Sequence, residues 1–209
     1  MLPRLYAILD IDLTEARGLD PRHVLGDWLD AGVRLIQLRA KTEAFGPCLE
    51  LADAMGQACR EAGAIFIVND RIDVARLSGA AGVHVGQEDL SPEDARQLLP
   101  DAPWIGLSTH TDEQVTAGLA GAATYLATGP VFATGTKMGA SPVVGLDGVR
   151  HVAALTKRAG RPLVAIGGIT LETAPDVVNA GADSVAVIAD LLRGSDALGR
   201  ARAFVRALA

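Results

Sequence analysis

The sequence is poor in cysteine, in aromatic residues and in lysine, and it has no long apolar run. Only two cysteines occur among 209 residues, which excludes a disulfide-stabilised scaffold. Cys48 and Cys59 fall in one predicted helix about 16 Å apart along its axis. A disulfide needs Cα atoms within about 7 Å, so we expect two reduced thiols in the core. Aromatic residues make up 4% of the chain.

No apolar stretch reaches the roughly 18 residues that a membrane-spanning helix requires. The first eleven residues lack the basic region that opens an export signal, so we expect a cytoplasmic protein without a membrane partner. Lysine plus arginine number 19 against 25 aspartate plus glutamate, a net charge of −6. This balance argues against nucleic-acid binding. An anionic ligand must therefore meet a local concentration of positive charge.

What is present indicates a globular chain, with 49% hydrophobic and 21% charged residues. At about 150 residues per domain the length allows one domain or two. No Pro/Ser-rich linker interrupts it, so residues 1–209 are predicted to form a single domain. Eight short apolar runs are predicted strands: Leu5–Leu9, Val33–Leu38, Ile65–Val68, Val83–Val85, Trp104–Leu107, Tyr125–Ala127, Leu163–Ile166 and Ser184–Ile188. Continuous apolar runs are typical of parallel strands covered on both faces.

Helix signals alternate with these strands. Asp20-Pro21 and Ser91-Pro92 each offer an N-cap followed by proline. Further helices are predicted at Phe45–Ala62, Ile72–Leu77, Leu146–Ala159 and Thr173–Ala180. Ala-Gly pairs at 31–32, 62–63, 81–82 and 180–181 are interpreted as helix ends that lead into the next strand. Eight β-then-α units predict a small (β/α)8 TIM barrel. A doubly wound open sheet is the alternative, but no G-x-G-x-x-G follows the first strand.

Functional residues of such a barrel lie at the carboxyl ends of its strands. Gln37, Arg39 and Lys41 alternate along one extended segment, so all three face one side. Two cations there indicate an anion site suited to a diphosphate, unless they are solvated rim charges. Only three lysines occur beside 16 arginines, and two of them, Lys41 and Lys137, fall in loops that follow strands.

Asp70 and Asp89 follow consecutive strands without a His/Cys cluster nearby. Two carboxylates with phosphate oxygens and water suit Mg²⁺, although each aspartate could instead cap a helix. The loop from Gly129 to Lys137 is not a P-loop, yet it could close over an anionic ligand. Gly167-Gly168 follows the seventh strand, where many such barrels bind phosphate. His84 reads as a core histidine, and His110 as either functional or structural.

These segments together resemble the thiamine phosphate synthase family. The matching motifs are Gln37–Lys41, Asn69-Asp70, Gly86–Asp89, IGLSTH at 105–110, GPVFATGTK at 129–137, AIGGI at 165–169 and GADSVAVI at 181–188. The resemblance implies a TIM barrel that joins a pyrimidine methyl diphosphate to a thiazole phosphate and releases pyrophosphate with Mg²⁺. The family usually has an acidic residue where Arg71 stands and a serine where Ala189 stands.

The resemblance also implies roles for individual residues. The pyrimidine diphosphate would be held by Gln37, Leu38, Arg39, Ala40, Lys41, Asn69, Ser108 and Lys137, of which Arg39, Lys41 and Lys137 would assist catalysis. Mg²⁺ would be held by Asp70 and Asp89. The thiazole phosphate would be held by Thr134, Gly135, Thr136, Gly168, Ile188 and Ala189.

Two other functions are weighed against this one. A related thiazole tautomerase would use His110 as acid and base and would need no Mg²⁺ pair. A non-catalytic protein that binds thiamine precursors would have no reason to keep both metal carboxylates. Small-molecule substrates are the expected partners in each case, and a homo-oligomer is left open.

Overall fold

The computed structural model describes residues 2–134, 142–194 and 196–209, in which eight parallel strands close a barrel and nine helices surround it. The (β/α)8 TIM barrel predicted from the sequence is confirmed. The strands are β1 (Leu5–Asp10), β2 (Leu35–Arg39), β3 (Ile65–Asn69), β4 (Gly82–Val85), β5 (Trp104–Thr109), β6 (Tyr125–Thr128), β7 (Leu163–Ile166) and β8 (Ser184–Val187). Each strand pairs with the next, and β8 pairs with β1.

The helices occupy the connections between strands. They are α1 (Ile11–Ala16), α2 (Pro21–Asp30), α3 (Phe45–Glu61), α4 (Ile72–Ser78), α5 (Pro92–Leu98), α6 (Asp112–Ala120), α7 (Gly145–Arg158), α8 (Ala174–Asn179) and α9 (Ala197–Ala207). None of those in the described ranges is long and apolar enough to cross a membrane.

The period-2 alternation of the strands divides the apolar side chains into two layers. One cluster fills the barrel interior and includes Tyr6, Ile8, Ile67 and Tyr125. The larger cluster lies between the barrel and the helices. It includes the strand residues that alternate with the inward-facing ones and point outward. Every strand is therefore covered on both faces, which explains why its sequence reads as a continuous apolar run.

The helix ends follow the predicted capping chemistry. Ser91 and Asp94 form a reciprocal capping box at the start of α5, and the Asp20 side chain accepts from the Arg22 N–H at the start of α2. At the other end of α2, the Val33 N–H donates to the Trp28 carbonyl at 3.0 Å. This bond belongs to the helix end, so β2 begins at Leu35 and not at Val33 as the apolar run suggests.

One of the four predicted Ala-Gly helix ends is wrong. Helix α4 ends at Gly79, which has φ +64°, and Gly82 already lies inside β4. A Cβ at Gly82 would lie 1.8 Å from the Trp104 carbonyl oxygen. Glycine is needed there because the two strand backbones approach closely, which the sequence cannot distinguish from a helix end. The pairs at 31–32, 62–63 and 180–181 do follow helices, with positive φ at each glycine.

Three helices of the described part, α1, α6 and α9, were not located from the sequence. Helix α1 has six residues and α6 has nine, and both are too short to show a clear apolar period. Helix α9 buries Ala201 and Phe204 among several arginines. Its apolar stripe is therefore narrow, and its helical character depends on packing against the barrel.

Both cysteines are free and buried in α3, as predicted. Burial raises the pKa of the Cys59 thiol to about 12 and also raises the pKa of Cys48. The thiolate is the reactive form, so we expect both thiols to resist Ellman's reagent in the folded protein. Unfolding in urea should make two thiols react rapidly. Fast reaction of the native protein would contradict this packing of α3.

The close approach at Gly82 gives a second prediction. Gly82→Ala should lower the free energy of unfolding by at least about 2 kcal/mol, because its Cβ would overlap backbone that cannot move without breaking the β4–β5 pairing. Gly26→Ala in α2 is the matched control. A Cβ at Gly26 would meet open space, and this variant should gain about 0.5–1 kcal/mol. Urea unfolding of both variants measures the difference.

Candidate active site at the carboxyl ends of the strands

Several predicted site residues share the inward-facing positions of their strands. Gln37 and Arg39 alternate with Leu38, which is buried in the outer cluster between barrel and helices. Asn69 ends β3 and Ser108 lies within β5, not after it as the sequence suggested. The structure thus gathers Gln37, Arg39, Asn69 and Ser108 at the mouth, whereas the Leu38 side chain points to the opposite face.

The Arg39 guanidinium is held by a buried carboxylate. Asp10 ends β1, is 3% exposed, and forms an ion pair with Arg39 through Oδ2. Its other oxygen accepts from the Leu13 N–H at 2.9 Å and so caps α1. One side chain thereby fixes both the first helix and the arginine of the neighbouring strand. Because Arg39 is already ordered, little side-chain entropy remains to be lost when an anion binds.

A chain of charges runs along the ends of β2, β3 and β4. Lys41 donates to the Asp70 carboxylate, and Asp70 in turn contacts Asp89. Burial raises the pKa of the Asp70 carboxyl, the neighbouring Asp89 raises it further, and Lys41 opposes the rise. Asp89 accepts from the Gly86 N–H at 2.7 Å, which holds it in the loop after β4. Two adjacent carboxylates repel each other, and a cation at this place would relieve the repulsion.

The backbone at Asp70 is strained. Its φ is +59°, the only positive value at a non-glycine residue within the described ranges. An aspartate there costs of order 1 kcal/mol, and such strain clusters at functional sites. The half-buried Asn69 precedes it, and the Asn69 carboxamide has no hydrogen-bond partner among residues 2–134, 142–194 and 196–209. Its polar atoms are therefore open to a ligand.

The loop after β6 packs tightly on the glycine pair after β7. Gly167 and Gly168 have φ of +101° and +67°, and a Cβ at Gly168 would lie 2.7 Å from the Ala133 carbonyl oxygen. Close packing therefore requires glycine at both positions. In addition, the N–H groups of Gly168 and Ile169 find no acceptor in the part of the chain that the structure describes. Two such neighbouring donors can bind an anion.

The end of β8 lies beside this glycine pair in the barrel. Ile188 packs against the interior cluster, and the Ala189 carbonyl accepts from Arg17 at 2.9 Å. Asp190 then accepts from the Leu171 N–H at 2.9 Å and from Arg200 at 2.5 Å. These bonds tie the loops after β7 and β8 to each other and to α9. They place a cation, Arg17, beside the position where the family usually has a serine.

Part of the predicted site lies outside the described residues. Gly135, Thr136 and Lys137 belong to the range 135–141, which the structure does not describe. Thr134 is the last described residue before that range and is exposed. The proposed roles of Gly135, Thr136 and Lys137 therefore rest on the sequence alone. Ala40, between Arg39 and Lys41, packs its methyl group against the outer cluster.

His84 and His110 lie in different surroundings. His84 is buried in the barrel interior, where it contacts Tyr125 and Ser108. His110 donates from Nδ1 to the Gly129 carbonyl at 2.8 Å, so it connects the end of β5 to the loop after β6.

Arg71 stands where the family usually has an acidic residue. It forms two hydrogen bonds with Asp73, at 3.0 and 2.9 Å, and its guanidinium carbon lies 5.4 Å from the Phe45 ring centre. Its charge is thus neutralised outside the mouth.

The sequence did not select Asp10, Arg17, Tyr6 or Tyr125. Asp10 directly follows the first apolar run, so the rule that found Asp70 could have found it. Arg17 lies far from any strand end in sequence, and the two tyrosines read as core residues. Only the closed barrel brings them to the site.

Comparison with known proteins shows which family this chain belongs to. A family model described as thiamine monophosphate synthase matches residues 5–191. A thiamine-phosphate synthase of Koribacter versatilis is 45% identical, covering 91% of this chain and 90% of the relative. That of Methanocella arvoryzae is 41% identical, covering 95% and 91%. A solved thiamine phosphate pyrophosphorylase from Pyrococcus furiosus has a TM-score of 0.88 at 31% identity, covering 98% of this chain and 95% of that one.

The Asp10–Arg39 pair can be tested without any ligand. Asp10→Asn keeps an oxygen for the Leu13 N–H but removes the charge that faces Arg39. We expect its free energy of unfolding to fall by about 2 kcal/mol in urea, because a buried charged hydrogen bond is lost. Asp20→Asn, at the exposed N-cap of α2, is the control and should change by less than about 0.5 kcal/mol. Equal effects at both positions would show that capping alone matters.

Proposed function

The chain belongs to the thiamine monophosphate synthase family, a family of transferases, and we propose that it joins a pyrimidine methyl diphosphate to a thiazole phosphate. The substrates are 4-amino-2-methyl-5-(diphosphooxymethyl)pyrimidine and a (carboxy)thiazole phosphate. The products are thiamine phosphate and pyrophosphate. The observation that carries this proposal is the convergence of Arg39 and Lys41 with Asp70 and Asp89 at one barrel mouth.

The residues at the mouth fit a magnesium ion. Asp70 and Asp89 offer oxygen donors only, and a diphosphate with water would complete the coordination that Mg²⁺ prefers. Among residues 2–134, 142–194 and 196–209 there is no group of three or more His, Cys, Asp or Glu side chains that could hold a metal ion. Mg²⁺ bound there would neutralise negative charge on the diphosphate. Asp70 and Asp89 are accordingly proposed as its ligands.

The remaining residues act on the pyrimidine diphosphate. Arg39 and Lys41, with Lys137 from the loop after β6, would stabilise the negative charge that develops on pyrophosphate as it leaves. The bond from the methylene carbon to the diphosphate oxygen breaks, and its electron pair leaves with pyrophosphate. The 4-amino group of the pyrimidine supports the resulting cation, and the thiazole nitrogen lone pair forms the new C–N bond. Gln37, Asn69 and Ser108 would hold the pyrimidine, with Leu38 and Ala40 contributing backbone to the same segment.

The thiazole phosphate would bind on the other side of the mouth. Gly168 offers an N–H group that has no acceptor among the described residues, and Ile188 and Ala189 follow β8 beside it. Arg17, held by the Ala189 carbonyl, supplies positive charge where a serine hydroxyl is missing. Thr134, Gly135 and Thr136 would close this side from the loop after β6. Such closure would keep water from the carbocation.

Two alternatives remain as outcomes of the assay. A thiazole tautomerase would use His110, whose Nδ1 proton is already donated to the Gly129 carbonyl. A precursor-binding protein would bind without turnover. Incubating the protein with both substrates, with and without Mg²⁺, and measuring thiamine phosphate and pyrophosphate separates these cases. Metal-independent isomerisation of the thiazole would favour the tautomerase, and binding without any product would favour the precursor-binding protein.

We also propose that the protein works in the cytoplasm on small-molecule substrates. Two free thiols agree with a reducing compartment. The extent of the single domain over residues 1–209 and a homo-oligomeric state stay predictions.

Charge removal at the mouth should slow turnover strongly without unfolding the protein. We expect Lys41→Ala and Asp89→Asn each to reduce kcat/KM by about 100-fold, because the first removes a cation that acts on the departing pyrophosphate and the second removes the charge of a proposed Mg²⁺ ligand. Asn at position 89 keeps an acceptor for the Gly86 N–H, so the loop should hold its shape. Steady-state kinetics with excess Mg²⁺ gives the measurement.

Two surface variants provide matched controls. Lys157→Ala removes an exposed lysine in the last turn of α7, and Asp101→Asn removes an exposed charge in the turn that precedes β5. Both lie away from the mouth and should retain the wild-type rate. Wild-type turnover from either mouth variant would contradict the assigned roles.

A further inference from the structure

Five polar side chains form a continuous hydrogen-bonded series across the barrel interior, which we call the interior hydrogen-bond chain. It comprises Gln37, Tyr6, Tyr125, His84 and Ser108. Gln37 Nε2 donates to the Tyr6 hydroxyl at 2.7 Å, and the two tyrosine hydroxyls lie 3.1 Å apart. The Tyr125 hydroxyl lies 3.0 Å from His84 Nδ1, and His84 Nε2 lies 2.9 Å from Ser108 Oγ. The series starts and ends on residues proposed to hold the pyrimidine.

The backbone is shaped to accommodate this series. A Cβ at Gly106 would lie 2.1 Å from Tyr125 Cζ and 2.3 Å from His84 Nδ1. The Tyr125–His84 contact thus occupies the space that any larger residue in the middle of β5 would fill. The Tyr6 and Tyr125 rings also pack edge to face, with centres 6.3 Å apart. Polar groups buried this deeply require complete hydrogen bonding, so their arrangement is tightly constrained.

One direction of proton donation leaves every group of the interior hydrogen-bond chain paired. Burial raises the pKa of both phenols, so each keeps its one proton at neutral pH. Since Gln37 donates to Tyr6, the Tyr6 proton is free to go to the Tyr125 oxygen, and the Tyr125 proton to His84 Nδ1. An accepting Nδ1 carries no proton, so the neutral ring is protonated at Nε2 and donates to Ser108. The Ser108 hydroxyl proton is then left for a ligand.

We propose that Tyr6, Tyr125 and His84 are positioning residues that fix the hydrogen-bond polarity of Gln37 and Ser108 toward the pyrimidine. This inference rests on the proposed function. Ser108 is held as a donor at the mouth, and Gln37, whose amide nitrogen is engaged by Tyr6, presents its Oε1 as an acceptor.

This polarity suits a 4-aminopyrimidine. The exocyclic amino group of such a ring donates hydrogen bonds and its ring nitrogens accept them, so an acceptor and a donor are both needed at the site. A carboxamide and a hydroxyl that rotate freely would present either polarity. A site that holds both groups in one polarity always presents the pattern that this ring needs. It also rejects rings with the opposite pattern, because their polar groups would be left unpaired.

The first test is the tautomer of His84. The chain has four histidines, so their ring nitrogens can be resolved by ¹⁵N NMR of labelled protein. We expect wild-type His84 to be neutral with its proton on Nε2. Tyr6→Phe should keep this tautomer, because Tyr125 still donates to Nδ1, whereas Tyr125→Phe should shift the proton toward Nδ1. A wild-type ring protonated at Nδ1 would overturn the proposal.

The second test separates the two substrates kinetically. In Tyr125→Phe we expect KM for the pyrimidine diphosphate to rise about fivefold to tenfold, the equivalent of one hydrogen bond, while KM for the thiazole phosphate stays within about twofold. Thr109→Val is the matched control. It removes a buried hydroxyl from β5, next to Ser108, and this hydroxyl donates to the Ala127 carbonyl at 3.0 Å. It should leave both KM values unchanged.

The outcomes distinguish this proposal from the proposed function. A wild-type protein that makes no thiamine phosphate refutes the function, and the positioning role falls with it. An active wild type whose folded Tyr125→Phe variant keeps its pyrimidine KM refutes the positioning role alone. If thermal melting shows that Tyr125→Phe does not fold, Tyr6→Phe takes its place in the kinetic test, with the same expected rise in the pyrimidine KM and the same meaning if that KM is unchanged.

Discussion

Closure of eight parallel strands into one barrel is the constraint on which the rest of this molecule depends. All strands run the same way, so every carboxyl end reaches the same rim. Alternation then assigns each strand residue either to the interior or to the outer layer. Arg39 and Asp10 meet because β1 and β2 are paired in register at those two positions. The arrangement of the site therefore follows from strand order and register, and the loops after β2, β3 and β4 add Lys41, Asp70 and Asp89 to it.

An acidic chain presents cations at this rim by pairing them with its own carboxylates. Arg39 is held by Asp10, and Lys41 by Asp70. These pairs keep the cations ordered and limit the repulsion among them before a ligand arrives. The carboxylates serve different ends. Asp10 is buried and caps the start of α1. Asp70 lies on strained backbone next to Asp89, where a bound cation would relieve the repulsion between the two carboxylates.

The barrel interior is not purely apolar. Tyr6, Tyr125 and His84 lie among aliphatic side chains, where unpaired polar groups would be costly, and they satisfy one another across strands. A hydrogen-bonded interior adds directionality that reaches the mouth through Gln37 and Ser108. Gly106 and Gly82 show that the strand backbones also adapt, since each accommodates a neighbour that a Cβ would displace.

Much of the fold could be predicted from local patterns. Each apolar run marked a strand, because strands buried on both faces leave no polar alternation, and most helices showed their caps. The start of β2 was placed too early because the apolar Val33 still bonds to the end of α2. Gly82 was misjudged because a glycine at a helix end and one at a close strand contact look the same in sequence. The short α1 and α6 gave no usable period.

For the site, as for the fold, some features could be predicted from the sequence and others could not. The sequence by itself determined which residue types follow each strand, and therefore the candidates Arg39, Lys41, Asp70 and Asp89. The tertiary structure alone decided that Asp10 holds Arg39, that Arg17 lies beside Ala189, and that His84 connects Tyr125 to Ser108. These contacts join residues up to 172 positions apart. Their partners are set by barrel closure and register, which no local pattern of side chains specifies.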